Sequence, residues 1–554
     1  MISFLYKMTK RPLLALTVNS FKKEKNMRKF LALILAALLA LSVLAGCTSD
    51  GGNKPAETTE AGEIDQDAAA KAIADRKASG KMPTVTLCFG NFAGKPAGVD
   101  RIAAAMSKIT EEKLGIKIEL TVDSIGALRQ QMNLDLASGN APDLFNGLLA
   151  GYMPAINSGY LYDLEEDSLL QTYGQGILSA FREDGLNGCR VNGVLYGIPV
   201  KKDDAAGQFG ISIPCEYLDT IGYDYASKYA KEGDELIYTD LDEIEGILTK
   251  LKEAYPDKTT FFMDTTSVVS QCLVIDGIGN DYFGALCDPI NSLEVTNMFE
   301  DQQYIDLCKR MYHWNHDLGF FSMDAATTDV STTVQVKSGS LCAYKTATKP
   351  GIKQQESNLC GMPVIIFQCG SDFKKSSTYG TMPWVMNHST DDPVAAMQVL
   401  NELYTNPELM TLFCWGEEGV EWKESGDGHI TFADGVDAQN SQYYNNTNWE
   451  LPNQFIARVW EGDELTIWER MQSFNDNAPY SKAMGFTWEN SDLANEYTAL
   501  TNVYSEYQSQ LELGFVDPEE KIPEMVERLK AAGLEKYMQA KKDAIEKWAA
   551  ATGK

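Results

Sequence analysis

An alternation of strand and helix patterns between residues 84 and 145 constrains the fold more than any other feature of this chain. Residues 84–89 (TVTLCF) predict a buried strand, and apolar residues at helical spacing over 99–109 predict the helix that follows it. A second strand and a second helix come next, and residues 143–145 predict a third strand. Because parallel strands need crossover helices, this part of the chain predicts an α/β lobe with a mainly parallel sheet.

The length of 554 residues predicts more than one domain. A second α/β-like region begins after residue 200, and it contains a predicted helix near 240–255. Helices dominate after about residue 392. Asp517 as N-cap and Pro518 at the first helical position predict the start of a C-terminal helix.

The N-terminal part has the pattern of an export signal. A basic start at 27–29 is followed by sixteen residues, 30–45, that are apolar except for Ser42, and Cys47 follows after a glycine. This run is shorter than the roughly 20 residues of a membrane-spanning helix and is typical of a signal peptide. We expect translation to start at Met27, because Lys23-Glu24 can be encoded by a purine-rich ribosome-binding sequence; residues 1–26 are then an extension outside the protein.

The formal charge of −30 is unevenly distributed. Residues 1–46 hold eight of the 48 Lys and Arg residues and one of the 78 acidic residues, which leaves 40 basic and 77 acidic residues in the rest of the chain. Such an acidic body repels phosphate backbones and anionic lipid. The composition therefore excludes nucleic-acid binding and attachment to a membrane through a basic face.

Signals for catalysis, cofactors and metals are weak. Ten scattered cysteines follow Cys47 without a CxxC pair, which favours free buried thiols over disulfides, although pairing stays open. His313 and His316 have helical spacing but no third metal ligand marked by sequence. Phosphate-binding and nucleophile-elbow motifs are absent. We predict no catalytic residues, no resident metal and no cofactor.

Several blocks carry a family resemblance. They are the Cys47 region (LAGC), residues 137–144 (ASGNAPDL), residues 196–199 (YGIP), residues 337–339 (KSG) before a hydrophobic strand, and the tail from 485 through 513–533. The chain resembles bacterial extracellular solute-binding proteins of family 1, and in particular LplA-type lipoproteins of carbohydrate ABC transporters. The resemblance implies a periplasmic-binding-protein-like α/β fold of two lobes, with an interlobe cleft, a hinge and a helical C-terminal part.

The resemblance and the pattern together give the expected organisation. It is a signal peptide over 27–46, a lipidated Cys47 with a flexible tether over 47–82, lobe 1 over 83–200 with a returning segment near 375–435, lobe 2 over 201–374 with C-terminal helices packed on it, and a helical region over 436–554. Acylation of Cys47 would hold the soluble body at the outer face of the membrane.

Candidate ligand-binding residues lie at predicted strand ends and crossings. Sugars are bound by aromatic faces together with carboxylates and amides. The candidates are Asp143, Phe145, Asp203, Asp204, Tyr344, Trp384 and Trp415. Each aromatic ring could instead pack in a core, and Asp143 could equally cap a helix or hold its loop.

The expected function is capture of a carbohydrate, by default an oligosaccharide, and its delivery to an ABC permease. The expected protein is a monomer on the extracytoplasmic face, with a lipid anchor as its only membrane contact. Two alternatives stay open from the residues alone: a surface glycoside hydrolase or lyase, and a scaffold that adheres to polysaccharide.

Overall fold

The structure, a computed structural model, describes residues 67–554 apart from 92–93, 182, 232–233, 264–267, 280, 322–331, 439 and 444–446. The expected signal peptide, Cys47 and the tether up to residue 66 lie outside the described residues. All described residues belong to one compact unit, Gly62–Lys554.

The strands lie between residues 84 and 432 and are mostly short. In chain order they are β1 Thr84–Asn91, β2 Lys117–Ser124, β3 Leu144–Asn146, β4 Arg190–Val191, β5 Val194–Leu195, β6 Gly197–Ile198, β7 Ala206–Pro214, β8 Leu236–Tyr238, β9 Thr259–Phe262, β10 Ala285–Leu286, β11 Val295–Thr296, β12 Leu341–Thr348, β13 Val364–Gln368, β14 Asp372–Phe373, β15 Trp384–Met386, β16 Trp422–Glu424 and β17 Ile430–Phe432.

The two longest helices lie near the C-terminus. They are α1 Ala68–Ser79, α2 Val99–Leu114, α3 Ile125–Ser138, α4 Tyr152–Asn157, α5 Leu169–Tyr173, α6 Gln175–Ala180, α7 Glu183–Asn187, α8 Cys215–Thr220, α9 Leu241–Ala254, α10 Val268–Cys272, α11 Gln302–Tyr312, α12 Thr332–Lys337, α13 Ile352–Cys360, α14 Pro393–Thr405, α15 Pro407–Trp415, α16 Ile467–Asn477, α17 Ala494–Glu512, α18 Pro518–Ala531 and α19 Leu534–Thr552.

Local signals in the sequence set several helix ends. Gly115 and Gly139 follow α2 and α3 with φ of 70° and 74°, a left-handed conformation that glycine adopts without steric cost. The Asp240 side chain accepts a hydrogen bond from the backbone of Glu243 at the start of α9. Asp517 caps α18 in the same way, and Pro518 occupies its first turn. The predicted C-terminal helix start is therefore confirmed.

Lobe 1 is built on a five-stranded sheet in the order β2-β1-β3-β15-β6. β1 pairs with β2 and β3 in parallel, whereas β15 returns from much later in the chain and pairs antiparallel with both β3 and β6. Helices α2, α3, α14 and α15 contribute buried residues to the core of this sheet. The predicted strand–helix alternation over 84–145 is confirmed.

Lobe 2 is built on a six-stranded sheet in which β8-β13-β7-β12-β9 form the main path and β14 also pairs with β7. β7 runs antiparallel to β12 and β13, while β9 and β8 lie parallel to β12 and β13 respectively. Helix α9 buries Ile244, Ile247, Leu248 and Leu251 in the core of this lobe. The two lobes together form the α/β architecture that the sequence predicts.

The C-terminal helices α17, α18 and α19 form a third core with the part of lobe 2 that follows β9. The core of lobe 1 extends further than the sequence suggests, because Tyr443, Leu451 and Ala457 are buried in it. The segment returning to lobe 1 therefore extends to at least residue 457. It also includes the small hairpin β16–β17, which lies in a region expected to be helical.

Candidate functional site

The carboxyl ends of the parallel strands of both lobes point toward the segments that connect the lobes. In lobe 1, β1, β3 and β6 end at Asn91, Asn146 and Ile198, and Ile198 leads directly into the first crossing, residues 199–205. In lobe 2, β12 and β13 end at the edge where that crossing enters β7. Ligands of open α/β sheets bind outside the carboxyl ends of strands, so the candidate site lies between these two edges.

A short segment, residues 447–450, lies against the carboxyl edge of the lobe 1 sheet. The Thr447 hydroxyl donates to the carbonyl of Gly90 (3.1 Å) at the end of β1. The carbonyl of Glu450 accepts hydrogen bonds from the Asn146 amide (2.8 Å) and from the Trp384 indole (2.7 Å). Three strands thus fix this segment, which we call the edge segment.

Trp449 is partly exposed and stands between Asn448 and Glu450, which are both buried. Asn448 and Glu450 are 9% and 0% exposed, and Asn448 Oδ1 and Glu450 Oε1 have no hydrogen-bond partner in the described part of the chain. Buried polar atoms are usually satisfied, so such atoms call for an explanation. An aromatic face flanked by unsatisfied polar atoms is the combination that recognises a hydroxylated ring.

Glu450 is held in its neutral form near neutral pH. Burial raises the pKa of its carboxyl to about 8, and the backbone N–H of Gly90 and the nearby Thr447 side chain only partly oppose this effect. A protonated carboxyl donates a hydrogen bond as well as accepting one. The edge segment therefore has a buried carboxyl without a full negative charge next to Trp449.

Asn475, at the end of α16, joins the segments that cross between the lobes. Its Oδ1 accepts from the backbone of Asp204 (2.9 Å), and its Nδ2 donates to the carbonyl of Lys202 (2.6 Å). The second crossing is residues 374–383, between β14 and β15, and the ammonium of Lys374 at its start donates to the Asn475 carbonyl (2.7 Å). Because Asn475 is buried, its side chain and its carbonyl hold both crossings firmly to α16.

Two of the predicted ligand residues, Asp203 and Asp204, lie in the first crossing and are partly buried. Burial alone would raise the pKa of Asp203, but Lys349 at 3.1 Å and Lys202 outweigh it and lower that pKa. Burial raises the pKa of Asp204 to about 7 despite the nearby Lys202 and Lys201. The crossing thus carries one charged carboxylate and one that is close to half protonated at neutral pH.

Three predicted aromatic residues lie in the cores instead of the cleft. Phe145, Tyr344 and Trp384 are buried, and the hydroxyl of Tyr344 donates to the Glu356 carboxylate (2.5 Å). Enclosed rings present no face to a ligand, so the expectation for these three is corrected. The core-packing alternative describes them, because apolar rings at central strand positions pack between the sheet and its helices.

Asp143 also has a structural role that the sequence left open. It precedes β3 and so lies at the amino end of the strand, away from the cleft edge. Its carboxylate accepts from the backbone and hydroxyl of Thr86 (2.8 and 2.7 Å) and from the hydroxyl of Thr390 (2.5 Å). The loop-holding alternative therefore describes Asp143.

Trp415 remains at an accessible position. Its partly exposed ring lies 4.9 Å from that of Trp460, and its indole donates to the carbonyl of Arg458 (3.0 Å). Glu417, just beyond it, forms an ion pair with Arg101 at the start of α2. Since α2 begins after β1, Trp415 lies on the side of lobe 1 where the strands end.

Sequence reasoning missed Trp449, Glu450 and Asn475. The only local signal was a tryptophan between an amide and a carboxylate in the polar run 445–450 (NNTNWE). Asn475 lies within an ordinary polar helix pattern and carries no signal at all. Their roles arise from contacts with residues that are hundreds of positions away.

The described residues were compared with the requirements of a metal site and of a membrane-spanning helix. His313 and His316 both contact Asp317 (2.8 and 2.9 Å). In the parts of the chain that the structure describes, no three His, Cys, Asp or Glu side chains come together as a group able to hold a metal ion. None of the described helices is both long and apolar enough to cross a membrane.

Two α/β lobes joined by crossing segments, with both carboxyl edges facing the crossings, define the class of two-lobed solute-binding proteins. A family model described as "Bacterial extracellular solute-binding protein" matches residues 104–414, more than half of the chain. A model described as a domain of unknown function matches residues 482–550. The chain belongs to the bacterial extracellular solute-binding protein family, and its body therefore acts outside the cytoplasm.

Relatives of known name are transport proteins. A protein of Streptococcus pneumoniae serotype 4 named "Carbohydrate ABC transporter substrate-binding protein" is 24% identical over 92% of this chain and 96% of its own length. The solved N-glycan transport solute-binding protein of S. pneumoniae matches 83% of this chain and 97% of its own, with 22% identity and a TM-score of 0.72. A solute-binding protein of Bifidobacterium longum infantis, titled as binding HMO, matches 84% of this chain and 98% of its own, with 17% identity and a TM-score of 0.54.

Proposed function

We propose that this protein is the substrate-binding component of an ABC importer and that it captures a carbohydrate, by default an oligosaccharide, between its two lobes. The observation that carries the proposal is Trp449, a partly exposed ring at the cleft edge of lobe 1. It lies between Asn448 and Glu450, each of which has one side-chain oxygen without a hydrogen-bond partner among the described residues. Structures of the pneumococcal N-glycan transport protein in complex with Man1GlcNAc and Man5GlcNAc support a carbohydrate as the class of ligand.

The proposed ligand contacts come from three places around the cleft. Trp449 supplies a stacking face on the edge segment, Trp415 with Trp460 supplies a second aromatic surface, and Asp203 and Asp204 supply oxygens from the first crossing. Closure of the lobes excludes water from these groups and strengthens their polar contacts. Neither a metal nor a cofactor enters this mechanism, which is binding and release and leaves the ligand chemically unchanged.

The proposed location and partners follow from the leader. Acylation at Cys47 anchors the protein to the outer face of the cell membrane, and the closed form docks as a monomer on the permease subunits. Metabolic labelling with an alkyne fatty acid tests the anchor: label is expected in the wild type and is lost in Cys47→Ala. Label that persists in that variant contradicts the anchor at this position.

Titration of the purified protein with neutral mono- and oligosaccharides, including mannose–GlcNAc oligosaccharides, tests the function. One ligand per chain and a raised melting temperature are expected, since binding to the native state stabilises it. The sugar recovered afterwards should be unchanged in mass. New reducing ends would favour the glycan-active enzyme, and the absence of any thermal shift with all saccharides would contradict the proposal.

A further inference from the structure

The C-terminal helical domain, residues 482–550, matches a family model of unknown function, and in this structure it is bound firmly to lobe 2. The ammonium of Lys541 on α19 is buried and donates to the carbonyls of Gly277 (2.9 Å) and Gly284 (3.0 Å) and to the carboxylate of Asp281 (2.7 Å). Separation of the domain from lobe 2 would leave this buried charge without partners, which is strongly unfavourable.

A second set of contacts strengthens the same attachment. The hydroxyl of Tyr537 donates to the other carboxylate oxygen of Asp281 (2.9 Å) and accepts from the indole of Trp488 (2.9 Å). Phe283 and Phe299 of lobe 2 pack in one core with α17, α18 and α19. Lobe 2 and the C-terminal domain therefore share a continuous core and a buried ion pair.

The start of the domain, residues 481–490, reaches back to lobe 1, and we call it the strap. Met484 is only 4% exposed, and its side chain belongs to the core of lobe 1. Its neighbours Ala483 and Phe486 belong instead to a core shared with α19, where the Phe486 ring lies 5.7 Å from that of Trp548. Residues that are neighbours in the strap are thus buried in two different hydrophobic cores.

Polar contacts extend this junction along the surface of lobe 1. The amide of Asn157, at the end of α4, donates to the Glu489 carboxylate (2.6 Å). The hydroxyl of Thr487 donates to the carbonyl of Arg190 (3.2 Å). At the other end of the strap, the backbone of Ser481 donates to the carbonyl of Lys374 in the second crossing (2.9 Å).

We propose that the C-terminal domain serves as an interlobe pivot, with the strap holding lobe 1 through Met484 while α19 holds lobe 2 through Lys541. When the lobes rotate relative to each other, the Met484 side chain must either act as the axis of rotation or leave the core of lobe 1. Withdrawal exposes apolar surface to water and is opposed by the hydrophobic effect. The pivot therefore limits how far the cleft opens before a ligand arrives, and its importance for transport rests on the proposed capture by closure.

Interlobe distance in the ligand-free protein tests the pivot without reference to any sugar. Donor and acceptor dyes are attached to non-natural amino acids placed at Glu112 and Glu253, because the native cysteines make thiol labelling unselective. Both positions are exposed near the ends of α2 and α9. These helices run away from the cleft edges, so hinge rotation displaces their far ends most. The distance distribution is compared between the wild type and variants by single-molecule energy transfer.

Met484→Ala is expected to lengthen the mean distance by more than about 2 Å, the scale of domain rearrangements, and to broaden its distribution. Met525→Ala is the matched control, because it removes a buried methionine from the C-terminal core without touching lobe 1. Asn157→Ala, an exposed change that folding tolerates, should shift the distance in the same direction by a smaller amount.

Three results would overturn the pivot: a wild-type distance distribution in Met484→Ala, an equal shift in Met525→Ala, or no shift in Asn157→Ala. A failure of sugar binding in the wild type would contradict the proposed function and leave these distances unaffected. The two proposals therefore fail separately.

Discussion

The indole nitrogen of Trp384 donates to the carbonyl of Glu450 across 2.7 Å, and this bond ties the start of β15 to the edge segment. The ring of Trp384 is fully buried and packs edge-on to Phe413 at 6.2 Å. A tryptophan expected to stack on a ligand thus supports, from below, the segment that carries Trp449. Its contribution to binding is indirect.

Replacement of Trp384 should therefore reduce stability first. Trp384→Ala is expected to lower the free energy of unfolding by ~3–5 kcal/mol, because it empties a large buried volume. Trp384→Phe keeps most of the packing and loses the hydrogen bond, for an expected loss of ~1 kcal/mol from that bond. Denaturant unfolding measures both. A stable Trp384→Ala protein with weakened sugar binding would instead restore the stacking role.

Trp449 is the residue whose loss should affect binding directly. Trp449→Ala is expected to weaken sugar affinity about tenfold, which corresponds to about 1.4 kcal/mol, with little change in melting temperature because the ring is partly exposed. Trp548→Ala, a partly exposed ring in the C-terminal domain, is the control and should leave affinity unchanged. Titration calorimetry measures the sugar affinity of the wild type and of both variants. Equal affinities in the wild type and Trp449→Ala would show that this ring is not part of the site.

The raised pKa of Glu450 makes stability depend on pH. Its folded pKa of about 8 lies above its ordinary value of 4.5, so the native state holds a proton that the unfolded state releases between these values. Stability should fall as pH rises through that window, by at most about 1.4 kcal/mol per pH unit for one proton, and level off above it.

Glu450→Gln isolates this effect. The variant should be more stable than the wild type at pH 8 and lose that advantage at pH 4, where both carry a neutral side chain. Burial also raises the pKa of Glu512, which lies in another core, to about 8. Glu512→Gln therefore serves as a comparison variant. If the difference in free energy of unfolding between the wild type and Glu450→Gln is the same at pH 5 and at pH 8, a neutral Glu450 is contradicted.

Asn475 should control the order of the crossing segments. Asn475→Ala leaves the backbone N–H of Asp204 and the carbonyl of Lys202 without their partner, at an expected cost of ~1–3 kcal/mol for each buried group left unsatisfied. Hydrogen exchange of residues 202–205 should accelerate. Asn477→Ala, two positions along the same helix and exposed, should leave this exchange unchanged. Equal protection of residues 202–205 in both variants would argue against this role of Asn475.

The thiols provide a further test. No disulfide joins any two of the ten described cysteines, and most of these side chains are buried. Burial raises the pKa of most of them, as for Cys342 to about 11 and Cys369 to about 12, so few thiolates form at neutral pH. Thiol reagents should react slowly with native protein and count ten thiols beyond Cys47 after unfolding without reductant. A count of eight or fewer indicates a disulfide.

Local patterns predicted most helices and strands of the first lobe and of the C-terminal region. Three kinds of local signal act within a few residues: the helical spacing from Val99, the glycines at 115 and 139, and the Asp517 cap. They set secondary structure without tertiary contacts. The family resemblance added the two-lobe architecture, which the structure supports. The site was harder, because a tryptophan at a strand end looks the same in sequence whether it faces core or cleft.

The sequence by itself determined an α/β body behind a basic leader, the order of the elements and the class of protein. Only the tertiary structure decided which side chains meet at the cleft. Glu450 lies beside Gly90, and Asn475 beside Lys202, across separations of hundreds of residues. Such contacts depend on sheet order and on the return of the chain to lobe 1. Burial, which decides whether an aromatic ring packs or binds, is set by those long-range contacts and not by neighbours in the chain.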